Sequence, residues 1–323
     1  WWSGVGWEDA AAICAEAIYD TVVDSGGRTI RDVLQSIAAG YRMGTPNGIR
    51  MDGDSGLIWS PSHFTWMDTN YPAGTPREGY PIEIQALWIQ LLEQVGRIEE
   101  VPNGSRGRSP SPAWFESAAK ARKSLENLYW LEDKGWFADV LIAERGTEAE
   151  RADPDDALRS NCVMPIMLGL LNGPRAQRCI ENVLRHLAVP GALRSLAPLP
   201  VRRPLPIYGS DWRLLNDPLN PYCGRYEGDE DSQRKPAYHN GTAWTWTLPG
   251  LCEAIARAWY FSPLARDAAR AYLGSMDQQL SSGCIGHLSE IVDGDAPHTQ
   301  RGCDAQSWAV TEALRVWKLL NTT

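Results

Sequence analysis

Two short segments carry carboxylates where acid–base chemistry could be done. One reads Trp66-Met67-Asp68-Thr69-Asn70; the other runs His287-Leu288-Ser289-Glu290-Ile291-Val292-Asp293-Gly294-Asp295-Ala296-Pro297-His298. Each sets an acid among aromatic and small polar residues, in a stretch too irregular for a helix interior. Two carboxyl groups on loops, flanked by rings that can stack on sugars, are the minimum apparatus for glycoside hydrolysis: one protonates the leaving oxygen while the other works on the opposite side of the bond. Beside Trp66 and Met67, Asp68 would be partly desolvated, which raises a carboxyl pKa and preserves the proton of a general acid. An Asp there could equally serve a turn or a helix cap. Glu290, Asp293 and Asp295 lack the spacing and glycine of an EF-hand loop, so no metal is expected. Of the three, Glu290, preceded by the small polar Ser289, is the candidate general base.

The surroundings supply candidate binding groups. Trp59 and Trp66 flank the first acid, and Arg77, Tyr80 and Glu83 follow it. Arg77 and Glu83 either pair with each other or hold sugar hydroxyls, and Glu83 also opens a helical stretch, where a carboxylate is favoured. The run Tyr238-His239-Asn240-Gly241-Thr242-Ala243-Trp244-Thr245-Trp246 packs His, Asn and two indoles into one turn, a sugar-binding edge in which His239, Asn240 and Trp244 are the candidates. Tyr226 lies upstream in a polar aromatic stretch, and Gln306 follows the second acid segment.

These loops must be held by helices. Apolar stripes at i, i+3, i+4 and i+7 predict helices over 8–22, 28–39, 82–98, 114–131, 156–171, 176–188, 244–260, 262–281 and 305–320. Sustained strand alternation is scarce. Long loops over 41–81, 190–243 and 282–304 are rich in aromatics, which argues for packed, functional loops over disorder. Residues 102–112 hold no aliphatic side chain and read as an exposed spacer between helices. Helices paired through long loops at one end fit a toroid of antiparallel hairpins, with the site at the loop-rich end.

Composition narrows the partners. The chain has 15 Trp against 4 Phe; core filling accounts for over half of them, and the remainder fit a cleft where indole faces stack on sugar rings. A net charge of −9 argues against nucleic acid and suits a neutral ligand. No apolar run is long enough to span a membrane. Seven Cys, scattered without a CxxC pair, suggest neither a disulfide framework nor a zinc site and favour a reducing cytoplasm.

With these segments in hand, the chain resembles the C-terminal, amylo-α-1,6-glucosidase domain of glycogen debranching enzymes, especially the bacterial form. The resemblance rests on TWMDTN and TPREGYPIEIQALW (65–70 and 75–88), GRYEGD and YHNGTAWTW (224–229 and 238–246), and SEIVDGDAPHTQRGCDAQSW (289–308), in that order. It implies an all-α, (α/α)6 toroid forming a single domain over 1–323, and removal of single α-1,6-linked glucose stubs from glycogen or limit dextrin. Asp68 would be the general acid and Glu290 the general base of an inverting hydrolase, their carboxyls about 6.5–9.5 Å apart. No cofactor is implied. The family's Arg-Pro-Asn-Gln segment reads Arg159-Ser160-Asn161-Cys162 here. About nine helices stand where the full toroid has twelve, so the first helices are expected in a preceding segment that completes the barrel. Alternatives are an (α/α)6 hydrolase of another small glucoside, such as trehalose, sucrose or a glucosyl-solute, and a non-catalytic glycan-binding module.

Overall fold

The computed structural model describes residues 19–69, 74–100 and 112–322. Most of the helix expected over 8–22, nearly all of the spacer and the Asn70-Tyr71 pair lie outside the described residues. Nine α-helices are present among the described residues: α1 (Ile30–Met43), α2 (Ile82–Glu100), α3 (Pro112–Leu128), α4 (Met164–Met167), α5 (Gly173–His186), α6 (Lys235–Tyr238), α7 (Thr247–Ala258), α8 (Pro263–Gly274) and α9 (Ser307–Asn321).

Local signals explain the boundaries. Thr29 and Asp32 form a capping box at α1, each side chain accepting the other's backbone N–H. Ser262 caps α8 by accepting from the Ala265 N–H, with Pro263 directly after it. Helices α2 and α3 pack side by side, and one core holds Ile89, Leu92, Val95, Ala118, Ala121 and Leu125. Gly96 leaves room for Phe115 at that contact: a Cβ there would come within 2.8 Å of its ring. Every residue of α7 except Arg257 is buried, as expected for a helix surrounded by other elements. It packs on α4, α5, α8 and α9. Its one acid, Glu253, pairs with Arg257 and with Arg315 of α9, each at 2.7 Å.

The fold is helix-rich but not all helix. Twelve strands of two or three residues form four small sheets among the described residues. They are β1 (Arg50–Met51) with β2 (Ile58–Trp59); β3 (Gly79–Pro81), β6 (Val140–Ile142) and β7 (Asp153–Pro154); β4 (Trp130–Leu131) with β5 (Trp136–Phe137); and a five-stranded antiparallel sheet. That last sheet runs in the order β12 (Gln300–Arg301), β11 (Ile291–Val292), β10 (Ala243–Trp244), β9 (Ala192–Arg194), β8 (Ala188–Val189). Strands this short show no alternation to detect in sequence. The sheet pairs Trp244 with Ile291, setting the turn before β10 beside Glu290, the residue before β11.

The helix expected over 156–171 is instead an extended stretch, a 3-10 turn over Ser160–Val163, and then α4. Its apolar spacing arises because the whole segment threads the interior. Asp155, Asp156, Arg159 and Asn161 are buried along with their apolar neighbours. Among the described residues, no helix is long and apolar enough to cross a membrane.

Candidate active site

The loop carrying Asp68 is fixed by what surrounds it. The Trp66 indole stands edge-on to His239, Trp244 and Trp246, with ring centroids 5.4, 5.1 and 4.9 Å away. Its Nε1–H donates to Asn161 Oδ1 at 2.7 Å. The Met67 N–H donates to Thr65 Oγ1, and Thr69 Oγ1 hydrogen-bonds His239 Nδ1. Between these anchors Asp68 projects outward and reaches solvent. Partial desolvation raises its pKa, opposed by its own backbone amide and by the charge of His63. The direction suits an acid that must keep a proton.

Glu290 is held on both oxygens. Tyr238 Oη–H donates to Oε1 at 2.7 Å and the Cys303 N–H donates to Oε2 at 2.9 Å. Its backbone is fixed too: its N–H donates to Cys303 O, and Thr245 donates to its carbonyl from both N–H and Oγ1. The Tyr238 phenol is shifted strongly by this setting. Its pKa is pushed up first by burial, then by the hydrogen bond and charge of Glu290, then by Tyr226, and also by the charge of Asp68. Tyr238 belongs to a wall of rings that includes Tyr226, Trp244, Trp246 and Trp308, and the Asp68 loop joins it through Trp66.

Beneath this wall lies a buried ionic lattice. Arg77 donates from Nη1 and Nη2 to the two oxygens of Glu83 at 2.6 and 2.8 Å, and from Nε to Asp139 Oδ2 at 2.6 Å. Its Nη1 also reaches Thr65 Oγ1 at 3.0 Å, tying the lattice to the Asp68 loop. Arg159 lies 3.6 Å from Asp139 and donates to the His239 carbonyl and to Asn240 Oδ1. Asn161 Nδ2 donates to Asp139 Oδ1 at 2.8 Å. Burial first, then the charges of Arg159 and Arg77, push the His239 pKa well down, so its imidazole is neutral.

The residues expected from sequence thus divide. Glu290, Tyr226, His239 and Trp244 contact Tyr238 directly, and Trp66, two residues before the exposed Asp68, packs on His239 and Trp244. Arg77 and Glu83 are spent on each other and on Asp139, both nearly inaccessible. Trp59 and Tyr80 are buried, donating to the backbone oxygens of Ala143 and Thr147. Asn240 is fully buried on Arg159. Gln306 stands just ahead of α9, two residues from Trp308. Asp293 is consumed by Arg301 and the Tyr226 N–H, and Asp295 accepts from Tyr222.

A model of the family described as amylo-alpha-1,6-glucosidase matches residues 8–315. The chain belongs to the amylo-alpha-1,6-glucosidase family. This is a family of glycoside hydrolases, and both Asp68 and Glu290 fall inside the matched span. No curated protein sequence matches the chain. Among solved structures, a sialidase is 12% identical with a TM-score of 0.56, over 84% of this chain and 22% of its own. Neutral trehalase Nth1 from Saccharomyces cerevisiae is 14% identical with a TM-score of 0.48, over 75% of this chain and 38% of its own. The GH63 mannosylglycerate hydrolase from Thermus thermophilus is 16% identical with a TM-score of 0.45, over 74% of this chain and 45% of its own. The chain thus spans less than half the length of each of these structures.

Sequence reasoning passed over Tyr238, Cys303, Asp139 and Arg159 as site-building residues. Tyr238 stood in the quoted YHNGTAW run, next to the chosen His239. Cys303 contributes only backbone groups, its N–H and its carbonyl, which leave no trace in a side-chain reading. Asp139 lies in no motif.

Proposed function

We propose that this chain removes single α-1,6-linked glucose stubs from a branched α-glucan with inversion, as a single (α/α)6-type domain. Asp68 gives its proton to the glycosidic oxygen. Glu290 takes a proton from a water attacking the anomeric carbon on the opposite face of the ring. The bond to the leaving chain breaks as the bond to water forms, giving glucose and a trimmed glucan. Asp68 ends ionised and Glu290 protonated, and exchange with solvent restores both. No cofactor enters this scheme.

The observation that carries the reading is a Glu290 carboxylate held on both oxygens beside an aromatic wall that also anchors the Asp68 loop, in a chain of this family. The electrostatics also favour the assignment. Asp68 has a raised pKa and an open side chain, whereas Glu290 is held by two donors in a manner suited to a carboxylate. Pairwise packing of α2 on α3 and of α7 on α8 fits a toroid of hairpins.

The test is glucose release from a limit dextrin carrying single α-1,6 glucosyl stubs, comparing wild type with Asp68→Asn and Glu290→Gln. Release by wild type alone, with all three proteins folded, supports the reading. Binding of the dextrin without release would instead identify a glycan-binding module. Release from trehalose or another small glucoside alone would move the specificity there.

A further inference from the structure

The phenol of Tyr238 has a more specific job than lining a wall. A glutamate side chain turns about three torsions, and a general base works only when one oxygen faces the water it deprotonates. Glu290 is held at each oxygen by a different element: Cys303 offers a backbone amide to Oε2, and Tyr238, the last residue of α6, offers a hydroxyl to Oε1. The phenol is itself well fixed. Its backbone carbonyl accepts from Thr242 Oγ1 and Trp244 Nε1. Its ring is flanked by Tyr226, His239 and Trp244 at centroid distances of 5.3, 4.7 and 4.9 Å. Among these ring neighbours, only Tyr238 donates to Glu290 through a side chain.

We propose that Tyr238 is a positioning residue for the general base, its hydroxyl fixing Glu290 Oε1 so that the carboxylate plane is set toward the attacking water. The inference rests on the reading of Glu290 as that base. It assigns the hydroxyl a role distinct from the ring's, because the ring's packing would survive without it.

The experiment uses two substrates and three forms of position 238. α-Glucosyl fluoride needs no proton from the enzyme to expel fluoride, so its hydrolysis to glucose and HF reports on the base alone. The stub dextrin needs both acid and base. In Tyr238→Phe, which keeps the ring, kcat on the fluoride is expected to fall about 10- to 100-fold, the worth of one hydrogen bond to a charged group. KM should stay within about threefold. The acid limb of the pH–rate profile should move to higher pH, because a donor to the carboxylate has been removed. With 3,5-difluorotyrosine at position 238, a stronger donor, the acid limb should move to lower pH. Asp68, Tyr226 and His239, the other ionisable groups facing the phenol, are untouched in both proteins.

Wild-type kcat in the Phe form together with an unmoved acid limb would overturn the proposal. If the Phe form fails to fold, the difluorotyrosine protein decides it alone: an unmoved acid limb overturns it and a lowered one supports it. Wild type active on the fluoride but not on the dextrin would remove the debranching reading and leave the Tyr238 test in force. Wild type inactive on both would overturn the two together.

Discussion

Gly302 offers a direct test of whether the Glu290 carboxylate must stand where it does. Its φ is +71°, and an added Cβ would fall inside contact distance of Glu290 Oε2 and 3.1 Å from both Glu290 Cβ and Ile291 Cγ1. Gly302→Ala should therefore do two separable things. The left-handed backbone costs about 1–2 kcal/mol for a non-glycine residue. The methyl also drives the carboxylate away by about 1 Å, stretching its bonds to Tyr238 and the Cys303 amide, and a misplacement of that size costs roughly 100-fold in rate. The closest clash falls on the Glu290 carboxylate itself, so the rate should fall in a protein that still folds. The assay is kcat on the stub dextrin and on α-glucosyl fluoride, beside a denaturant melt of the same preparations. A folded variant with kcat within threefold of wild type would refute the reasoning.

Three further outcomes follow from the packing and charges. Trp66→Ala removes three edge-on ring contacts and the bond to Asn161, and should cost about 3–5 kcal/mol in denaturant unfolding; a loss below about 1 kcal/mol would contradict the anchoring role. Asp139→Ala leaves Arg159 without the carboxylate nearest it and takes one of two from Arg77, so about 3–5 kcal/mol should be lost, seen as a lower Tm; an unchanged Tm would count against the lattice. Asp155 is pushed up to about 6, first by burial and then by the charge of Asp139. Its folded pKa lies above the unfolded value of about 4, so its stabilising contribution is present below pH about 4 and lost as pH rises through about 6. The Tm of Asp155→Asn relative to wild type should accordingly rise across that window, and a flat difference would refute the argument.

How much of this was legible in the sequence depended on the reach of each interaction. Asp68 and Glu290 stood out because irregular, aromatic-rich backbone around an acid is a local property. Helices α1, α2, α5, α8 and α9 were legible for the same reason, their periodicity surviving in any window. Long-range partners were not. Trp59 and Tyr80 looked like sugar-stacking rings, yet their polar atoms reach carbonyls 84 and 67 residues away and the rings go with them into the core. Arg77 and Glu83 were ambiguous until Asp139 appeared between the two arginines. The sheets were invisible because two-residue strands owe their existence to register with distant partners. Four of the tryptophans belong to this class too: Trp66, Trp244, Trp246 and Trp308, the last in α9, pack on one another across distant parts of the chain.

The tripeptide Tyr238-His239-Asn240 shows how those distant parts are brought into step. Tyr238 holds Glu290, His239 holds Thr69 beside Asp68, and Asn240 with the His239 carbonyl holds Arg159 of the buried lattice. Consecutive residues of one chain thus grip the Asp68 loop, the Glu290 carboxylate and the foundation beneath both. Their polar grips separate by chemistry, because the His239 imidazole hydrogen-bonds Thr69, next to Asp68, whereas the Glu290 carboxylate is held by Tyr238 and the Cys303 amide. His239→Leu keeps an apolar group against Trp66 and Trp244 but releases Thr69. Its expected effect is a kcat on the stub dextrin lowered about tenfold, the net worth of one buried hydrogen bond, with hydrolysis of α-glucosyl fluoride little changed. Tyr238→Phe should depress both substrates. Equal losses on the two substrates in His239→Leu would show that the histidine supports the whole site and not the acid loop, and the division of labour along the tripeptide would fall.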